Sequence, residues 1–162
     1  MNIFVTDISP QKSAEFLDNQ RVVKMILESC QMLSTALFLN ESWESYMTMP
    51  THIKHPCTVW ASEFSDNWLW LYEHANALDQ ERILRFGSKN IHKTLKVLNE
   101  NKIYLKAKII KSGFSKHVNC ARNSTFGVDF TSVVDVFLAY RLYLFKRWEL
   151  QKRNALCYIK QK

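Results

Sequence analysis

Residues 19–37 constrain the fold most, because they are apolar on almost every face of a helix. Five polar side chains interrupt them at spacings of three and four residues, so all five fall on one side of the helix. Neighbouring elements must cover most of such a helix. The sequence therefore predicts a central helix near residues 20–38, with a polar stripe formed by Arg21, Lys24, Glu28, Gln31 and Thr35.

This polar stripe faces either water or a polar cleft, and the periodicity leaves both open. Its one carboxylate, Glu28, follows Arg21 and Lys24 on the preceding turns, so it would be flanked by cations. In a cleft, that arrangement makes Glu28 the leading catalytic candidate. On an open surface, Lys24 and Glu28 form an ordinary ion pair worth about 0.3 kcal/mol.

Length and composition are those of one helical domain. The 162 residues include three Gly and three Pro, and 47% are hydrophobic, which favours a compact core. Ser9-Pro10 is typical of a helix start and Gly87 of a helix end. We expect an all-α fold: a compact single-domain bundle (residues 1–162) of five to six helices around the central helix.

The second half of the chain is harder to assign. Residues 102–110 alternate like a strand but also fit a helix edge, so both interpretations remain open. Residues 112–127 are predicted to form a loop. A last long helix is expected from about residue 131 to residue 153, with the packing side chains Val134, Leu138, Leu142, Phe145 and Trp148.

The chain is basic, with 22 Lys and Arg against 15 Asp and Glu and a net charge of +7. This excess favours a polyanionic partner, DNA or a nucleotide. No acidic residue occurs between Glu100 and Asp129. A solvated surface explains the basic residues equally well unless they lie beside the polar stripe. They form two groups: Lys102, Lys106, Lys108, Lys111, Lys116 and Arg122, then Arg141, Lys146, Arg147, Lys152, Arg153, Lys160 and Lys162.

The four cysteines, Cys30, Cys57, Cys120 and Cys157, show no close pairing in sequence. Since there is neither a signal peptide nor a transmembrane run, we expect free thiols, a cytoplasmic location and no membrane partner. His52 and His55 lie near Cys57, but this spacing lacks a second ligand pair. We expect neither a metal nor a cofactor.

The residues around Glu28 carry a family resemblance. Asn19, Gln20 and Arg21, followed by an apolar helical run and then Glu28, resemble the motif of phage pyrimidine-dimer DNA glycosylases of the endonuclease V type. Residues 21–36, 51–60 and 139–148 resemble small phage proteins placed in that superfamily. The resemblance implies a compact helical domain without metal or cofactor. It also implies that an amine attacks the sugar C1′ while Glu28 assists.

The nucleophile that the resemblance implies is an N-terminal amine exposed when Met is removed. Here the bulky Asn2 predicts that Met1 is retained. Three options follow. The Met1 amine attacks; the Lys24 amine attacks; or Glu28 activates water and no covalent intermediate forms.

The resemblance also suggests nucleic-acid contacts. Arg21 stands where the family has a histidine, and Gln31 where it has an arginine. A target base must leave the stack, which requires a basic groove and apolar or aromatic surfaces. The expected nucleic-acid or phosphate contacts are Gln20, Arg21, Gln31, His55, Lys116, Arg122 and Arg141, with Trp43, Tyr46, Trp60 and Trp68 as stacking candidates.

The sequence thus favours a DNA glycosylase acting on a damaged or modified pyrimidine, with AP-lyase activity as an additional option. The alternative is a non-catalytic phage accessory protein that holds a nucleotide, a nucleic acid or a host protein in the same pocket. Glu28, Lys24 and the basic segments favour the enzyme. Met1 retention and the departures at Arg21 and Gln31 favour the binder.

Overall fold

The computed structural model describes residues 1–151, apart from the side chain of Ile109. This part of the chain is mostly helical, which confirms the predicted fold class. Cys157, the basic residues Lys152, Arg153, Lys160 and Lys162, and the predicted end of the last helix lie outside the described residues. The helices are α1 (Pro10–Phe16), α2 (Asn19–Leu39), α3 (Pro56–Glu63), α4 (Ser65–Phe86), α5 (Lys93–Glu100) and α6 (Val136–Leu150).

Helix α2 lies at the centre, as predicted. Asp18 begins it as the N-cap, because its carboxylate accepts hydrogen bonds from the backbone N–H groups of Gln20 and Arg21. The helix packs against α3, α4 and α5, while α1 packs on α4. One cluster of buried hydrophobic side chains includes residues from all six helices.

The apolar surface of α2 is only partly covered. Val23 and Leu27 are exposed, so neighbouring elements cover most of the apolar surface but not all of it. Of the described helices, α2 is long and apolar enough to cross a membrane by length and composition alone, a test that core helices also pass. In this fold most of α2 is buried inside the domain.

Two helix ends follow the local sequence signals. Ser9 caps α1 by accepting a hydrogen bond from the Lys12 N–H, with Pro10 at the first helical position. Gly87 ends α4 in the left-handed conformation, at φ 65°. Both predictions are confirmed.

The segment between α5 and α6 differs from the prediction. Residues Ile103–Ile109 form a 3-10 helix, which answers the open question between strand and helix. Within the predicted loop, β1 (Arg122–Asn123) begins a small antiparallel hairpin, residues 122–129, that continues through the 3-10 turn Ser124–Phe126 to β2 (Val128–Asp129).

Helix α6 begins later than predicted and buries a different face. Asp135 caps it at Val136 by accepting from two backbone N–H groups. Val134, Leu138, Leu142 and Phe145 are exposed, and of the predicted packing residues only Trp148 is buried. The buried face comprises Val136, Ala139, Tyr140, Tyr143, Leu144, Arg147 and Trp148.

The N-terminal segment, residues 1–5, enters the core beside α6. Ile3 and Val5 are buried, and the Phe4 ring contacts Tyr140 and Tyr143, with ring centroids 6.1 and 5.7 Å away. This packing brings the start of the chain against the polar stripe of α2.

Candidate active site

A cavity of about 320 Å³ opens between the first turns of α2, the N-terminal segment, the hairpin and the end of α6. The polar stripe of α2 therefore faces a recess over its N-terminal half. Farther along, Thr35 is occupied by hydrogen bonds with the backbone of Thr51. The cavity is lined by Met1, Asn2, Phe4, Gln20, Arg21, Lys24, Met25, Glu28, Arg122, Asn123, Tyr143, Arg147 and Gln151.

Within residues 1–151, Glu28 is the one carboxylate that lines this cavity, and three nitrogen groups surround it. The Met1 ammonium lies 3.6 Å from Oε2, and the Lys24 Nζ lies 3.4 Å from Oε1. The backbone N–H of Asn2 donates to Oε2 at 3.2 Å. The Glu28 side chain is 15% exposed, so the carboxylate is held in a fixed place yet remains open to the cavity.

The terminal amine is held by a buried Met1 side chain. That side chain is 2% exposed, and its sulfur accepts a hydrogen bond from the Thr58 hydroxyl at 3.7 Å. The backbone nitrogen of Asn2 is also within 3.2 Å of Glu28, so a processed chain would leave an amine near the same carboxylate.

The guanidinium of Arg21 is held in position by Asp18 and Phe4. It forms a buried ion pair with Asp18 and lies 5.1 Å from the centroid of the Phe4 ring. Burial alone would raise the pKa of Asp18, but the Arg21 charge and hydrogen bonds from Trp148 and Arg21 outweigh it and lower the pKa overall. This arrangement fixes a guanidinium at the cavity wall.

The cavity lining is strongly cationic. Among the described residues, the lining groups are the terminal amine, Arg21, Lys24, Arg122 and Arg147, against the single carboxylate of Glu28. Such a set favours an anionic ligand.

Six residues predicted to act in the site meet at this cavity: Met1, Gln20, Arg21, Lys24, Glu28 and Arg122. Four others lie outside its lining. Gln31 is half-buried on the next turn of α2, and the exposed Lys116 donates from Nζ to the Val134 carbonyl at 3.4 Å. Their DNA contacts stay predictions.

The other two residues outside the lining have structural contacts. His55 caps α3 by accepting the Cys57 N–H at Nδ1. Burial lowers the pKa of His55, and the nearby terminal amine adds to this effect. Arg141 donates to the Thr6 carbonyl at 2.8 Å and lies 3.5 Å from an Asp7 oxygen. Contact of His55 or Arg141 with phosphate also stays a prediction.

The aromatic stacking candidates are mostly core residues. Trp60 and Trp68 are fully buried, so the expectation that they stack on bases is wrong. Trp43 is partly buried and donates to the Thr48 carbonyl at 3.0 Å, whereas Tyr46 is exposed. Neither Trp43 nor Tyr46 lines the cavity.

Asn123, Tyr143 and Arg147 line the cavity but were not singled out by the sequence reasoning. Arg147 was assigned to a basic group, yet it is buried, with its guanidinium 3.5 Å from the centroid of the Phe126 ring. Periodicity places Arg147 on the helical face of Tyr140 and Tyr143, but it does not tell which face of α6 is buried.

The described residues form a small helical fold with a cationic cavity, which suits an anionic ligand. In this cavity an amine lies next to a carboxylate that can accept its proton. The family model described as pyrimidine dimer DNA glycosylase matches residues 1–96. The chain therefore belongs to the pyrimidine dimer DNA glycosylase family. No curated protein and no solved structure matches it significantly. The matched region carries Met1, Gln20, Arg21, Lys24 and Glu28, while the hairpin and α6 lie beyond it.

Proposed function

We propose that this member of the family excises a damaged or modified pyrimidine from DNA and then cleaves the strand as an AP lyase. In this proposal the Met1 amine is the nucleophile and Glu28 is its acid–base partner. The observation that carries it is the 3.6 Å approach of the terminal amine to the Glu28 carboxylate at the wall of a cationic cavity.

The reaction begins when Glu28 accepts a proton from the Met1 ammonium. The nitrogen lone pair then forms a bond to C1′ as the glycosidic bond between C1′ and the base breaks, and the base leaves with the electron pair of the broken bond. Opening of the sugar ring gives an imine at C1′. Loss of a C2′ proton expels the 3′ phosphate, and hydrolysis of the imine frees the amine. Glu28 is placed to move the protons at the nitrogen.

Two considerations favour Met1 over Lys24 as the nucleophile. Lys24 is 67% exposed, and its flexible side chain forms a surface ion pair with Glu28 at 3.4 Å. The Met1 amine is fixed by a buried side chain.

DNA binding in this proposal depends on the cationic wall. Arg21, Arg122 and Arg147 surround the carboxylate and amine, and guanidinium groups pair well with phosphate oxygens. The cavity volume is at the lower end of the range of about 300–1,000 Å³ for small-molecule sites. It suits one extruded nucleotide rather than a length of duplex.

Borohydride trapping tests this proposal, using an ultraviolet-irradiated duplex and a duplex with one abasic site. We expect a covalent adduct with both, which peptide mass spectrometry maps to Met1. Glu28→Gln should abolish the adduct, and Lys24→Ala should retain it. Glu100→Gln is a matched control, because it removes a Lys–Glu pair of the same spacing on α5, away from the cavity.

Each other outcome identifies a different mechanism. An adduct at Lys24 would transfer the nucleophile's role to that side chain. Base release without an adduct would indicate that Glu28 activates water. Salt-sensitive DNA binding with neither base release nor adduct would overturn the enzyme proposal in favour of the non-catalytic binder.

A further inference from the structure

The side chain of Asn2 is buried and bonded through both of its polar atoms. Its Oδ1 accepts hydrogen bonds from the backbone N–H of Ile3 at 2.8 Å, from that of Phe4 at 3.3 Å and from the Tyr140 hydroxyl at 2.8 Å. Its Nδ2 donates to the Cys120 carbonyl at 3.0 Å. One side chain therefore ties residues 3 and 4 to two distant parts of the chain.

These bonds hold the N-terminal segment in a hooked conformation. Phe4 has a φ of 55°, in the left-handed region that a bulky residue rarely adopts. Such a conformation persists only where surrounding contacts enforce it. Asn2 enforces it from within by accepting two successive N–H groups, and its own N–H meets Glu28. The hook thus directs the terminal amine towards Glu28.

The two distant residues that hold the Asn2 side chain, Cys120 and Tyr140, lie beyond the region that the family model matches. The Tyr140 hydroxyl, on α6, donates to Asn2 and accepts from the Cys120 N–H at 3.1 Å. Tyr140 is fully buried and does not line the cavity. Its hydroxyl therefore reaches the amine through Asn2, while its ring packs on Phe4.

We infer that Asn2 and Tyr140 are positioning residues that hold the terminal amine against Glu28, an inference that rests on the proposed function. The proposed nucleophile is the amine of Met1, the residue before Asn2. Its distance from Glu28 therefore depends on the hydrogen bonds that hold the Asn2 side chain. Loss of these hydrogen bonds leaves the Met1 amine and the Glu28 carboxylate chemically intact, but the amine then spends less time beside the carboxylate. The expected consequence is slower imine formation at unchanged DNA affinity.

Tyr140→Phe is the sharpest test, because it removes one hydroxyl and keeps the ring that packs on Phe4. The matched control is Tyr72→Phe, which removes a hydroxyl that also makes a 2.8 Å hydrogen bond, to Asn99, and does not line the cavity. Single-turnover trapping on an abasic duplex should slow about tenfold in Tyr140→Phe, or about 1.4 kcal/mol in the barrier. Fluorescence anisotropy should give an unchanged affinity, and Tyr72→Phe should change neither quantity.

A second readout needs no DNA. Reductive methylation with formaldehyde and cyanoborohydride, followed by peptide mass spectrometry, reports the accessibility of the Met1 and Lys24 amines separately. In Tyr140→Phe, the Met1 amine should react severalfold faster and Lys24 at the wild-type rate. Faster labelling of every amine would instead indicate general unfolding and would overturn the inference.

The results also separate this inference from the proposed function. If the wild type forms the Met1 adduct and Tyr140→Phe traps equally fast, only the positioning role falls. If the wild type forms no adduct, the proposed function and the positioning role fall together, whatever the labelling shows. Should Tyr140→Phe not fold, Asn2→Gln takes its place in the same assays. This substitution keeps a bulky second residue and a side-chain amide, but the longer side chain moves the amide by one methylene. Trapping at the wild-type rate in Asn2→Gln would refute the positioning role.

Discussion

Two buried histidines should make the domain sensitive to mild acid. His74 on α4 donates from Nδ1 to the Pro10 carbonyl at 3.0 Å and stacks on Trp70. Burial lowers the pKa of His74 to about 4, although the hydrogen bond to the Pro10 carbonyl acts the other way. His117 stacks on Trp60, and burial, together with the nearby His74, lowers the pKa of His117 to about 4.

The sign of the effect follows from proton linkage. An unfolded histidine binds a proton below pH 6.5, whereas these two remain neutral in the fold until the pH approaches 4. The free energy of unfolding is therefore fully retained above pH 6.5 and falls as the pH drops from 6.5 towards 4. At 1.36 kcal/mol per pH unit, each histidine removes about 2.5 kcal/mol by pH 4.5. Together they remove about 5 kcal/mol, which is comparable to the whole stability of many domains.

Urea denaturation at pH 7 and pH 4.5, followed by tryptophan fluorescence, measures this loss directly. His117→Phe keeps an aromatic ring beside Trp60 and should remove about half of the pH dependence. The control is His52→Asn, because His52 is exposed and Asn tolerates its φ of 50°. A free energy of unfolding that changes by less than about 1 kcal/mol between these pH values would refute the reasoning. So would an unchanged slope in His117→Phe.

Two further substitutions test how α2 and α4 are held. Asp18→Asn leaves the buried Arg21 without its ion pair and should cost about 3–5 kcal/mol in urea titrations at neutral pH. The pKa of Asp18 is lowered in the fold, so its ion pair stabilises the domain fully above pH 3.8, the ordinary pKa of an aspartate. This stabilisation is lost as the pH falls through the lowered pKa, so the wild type and the variant should have similar stabilities in acid. Gly87→Ala places a Cβ in open space but at a φ of 65°, so thermal denaturation should report a loss of about 1 kcal/mol from backbone strain alone. Gly87→Asn should lose less, and equal losses would contradict that cause.

The features that could be predicted from the sequence are local ones. The stripe from Arg21 to Glu28 depends only on the helical repeat, and the ends at Ser9 and Gly87 depend on residues within one turn. That the stripe faces a cavity is a different matter. Periodicity places Glu28 on a face, but whether that face meets water or a recess depends on what packs beside it.

The rest of the cavity depends on contacts between distant residues. Asn2 and Tyr140 are 138 positions apart and still form one hydrogen bond, which no local pattern predicts. Helix α6 is apolar on more than one face, so the sequence could not tell that Tyr143 and Leu144 would be buried and Leu138 exposed. The hairpin was missed because its strands have only two residues each.

The sequence predicts both Lys116 and Arg122 as DNA contacts, but the fold places only one of them at the cavity. Arg122 lines the cavity, whereas Lys116 lies outside its lining near the Val134 carbonyl. If phosphates are bound at the cavity, Arg122→Ala should weaken DNA binding and reduce the slope of log affinity against log salt by about 1. Lys116→Ala has the same change in net charge, so it controls for the overall field of a +7 protein. Anisotropy titrations over a salt series measure both variants. Equal losses would show that total charge, rather than the cavity, governs binding.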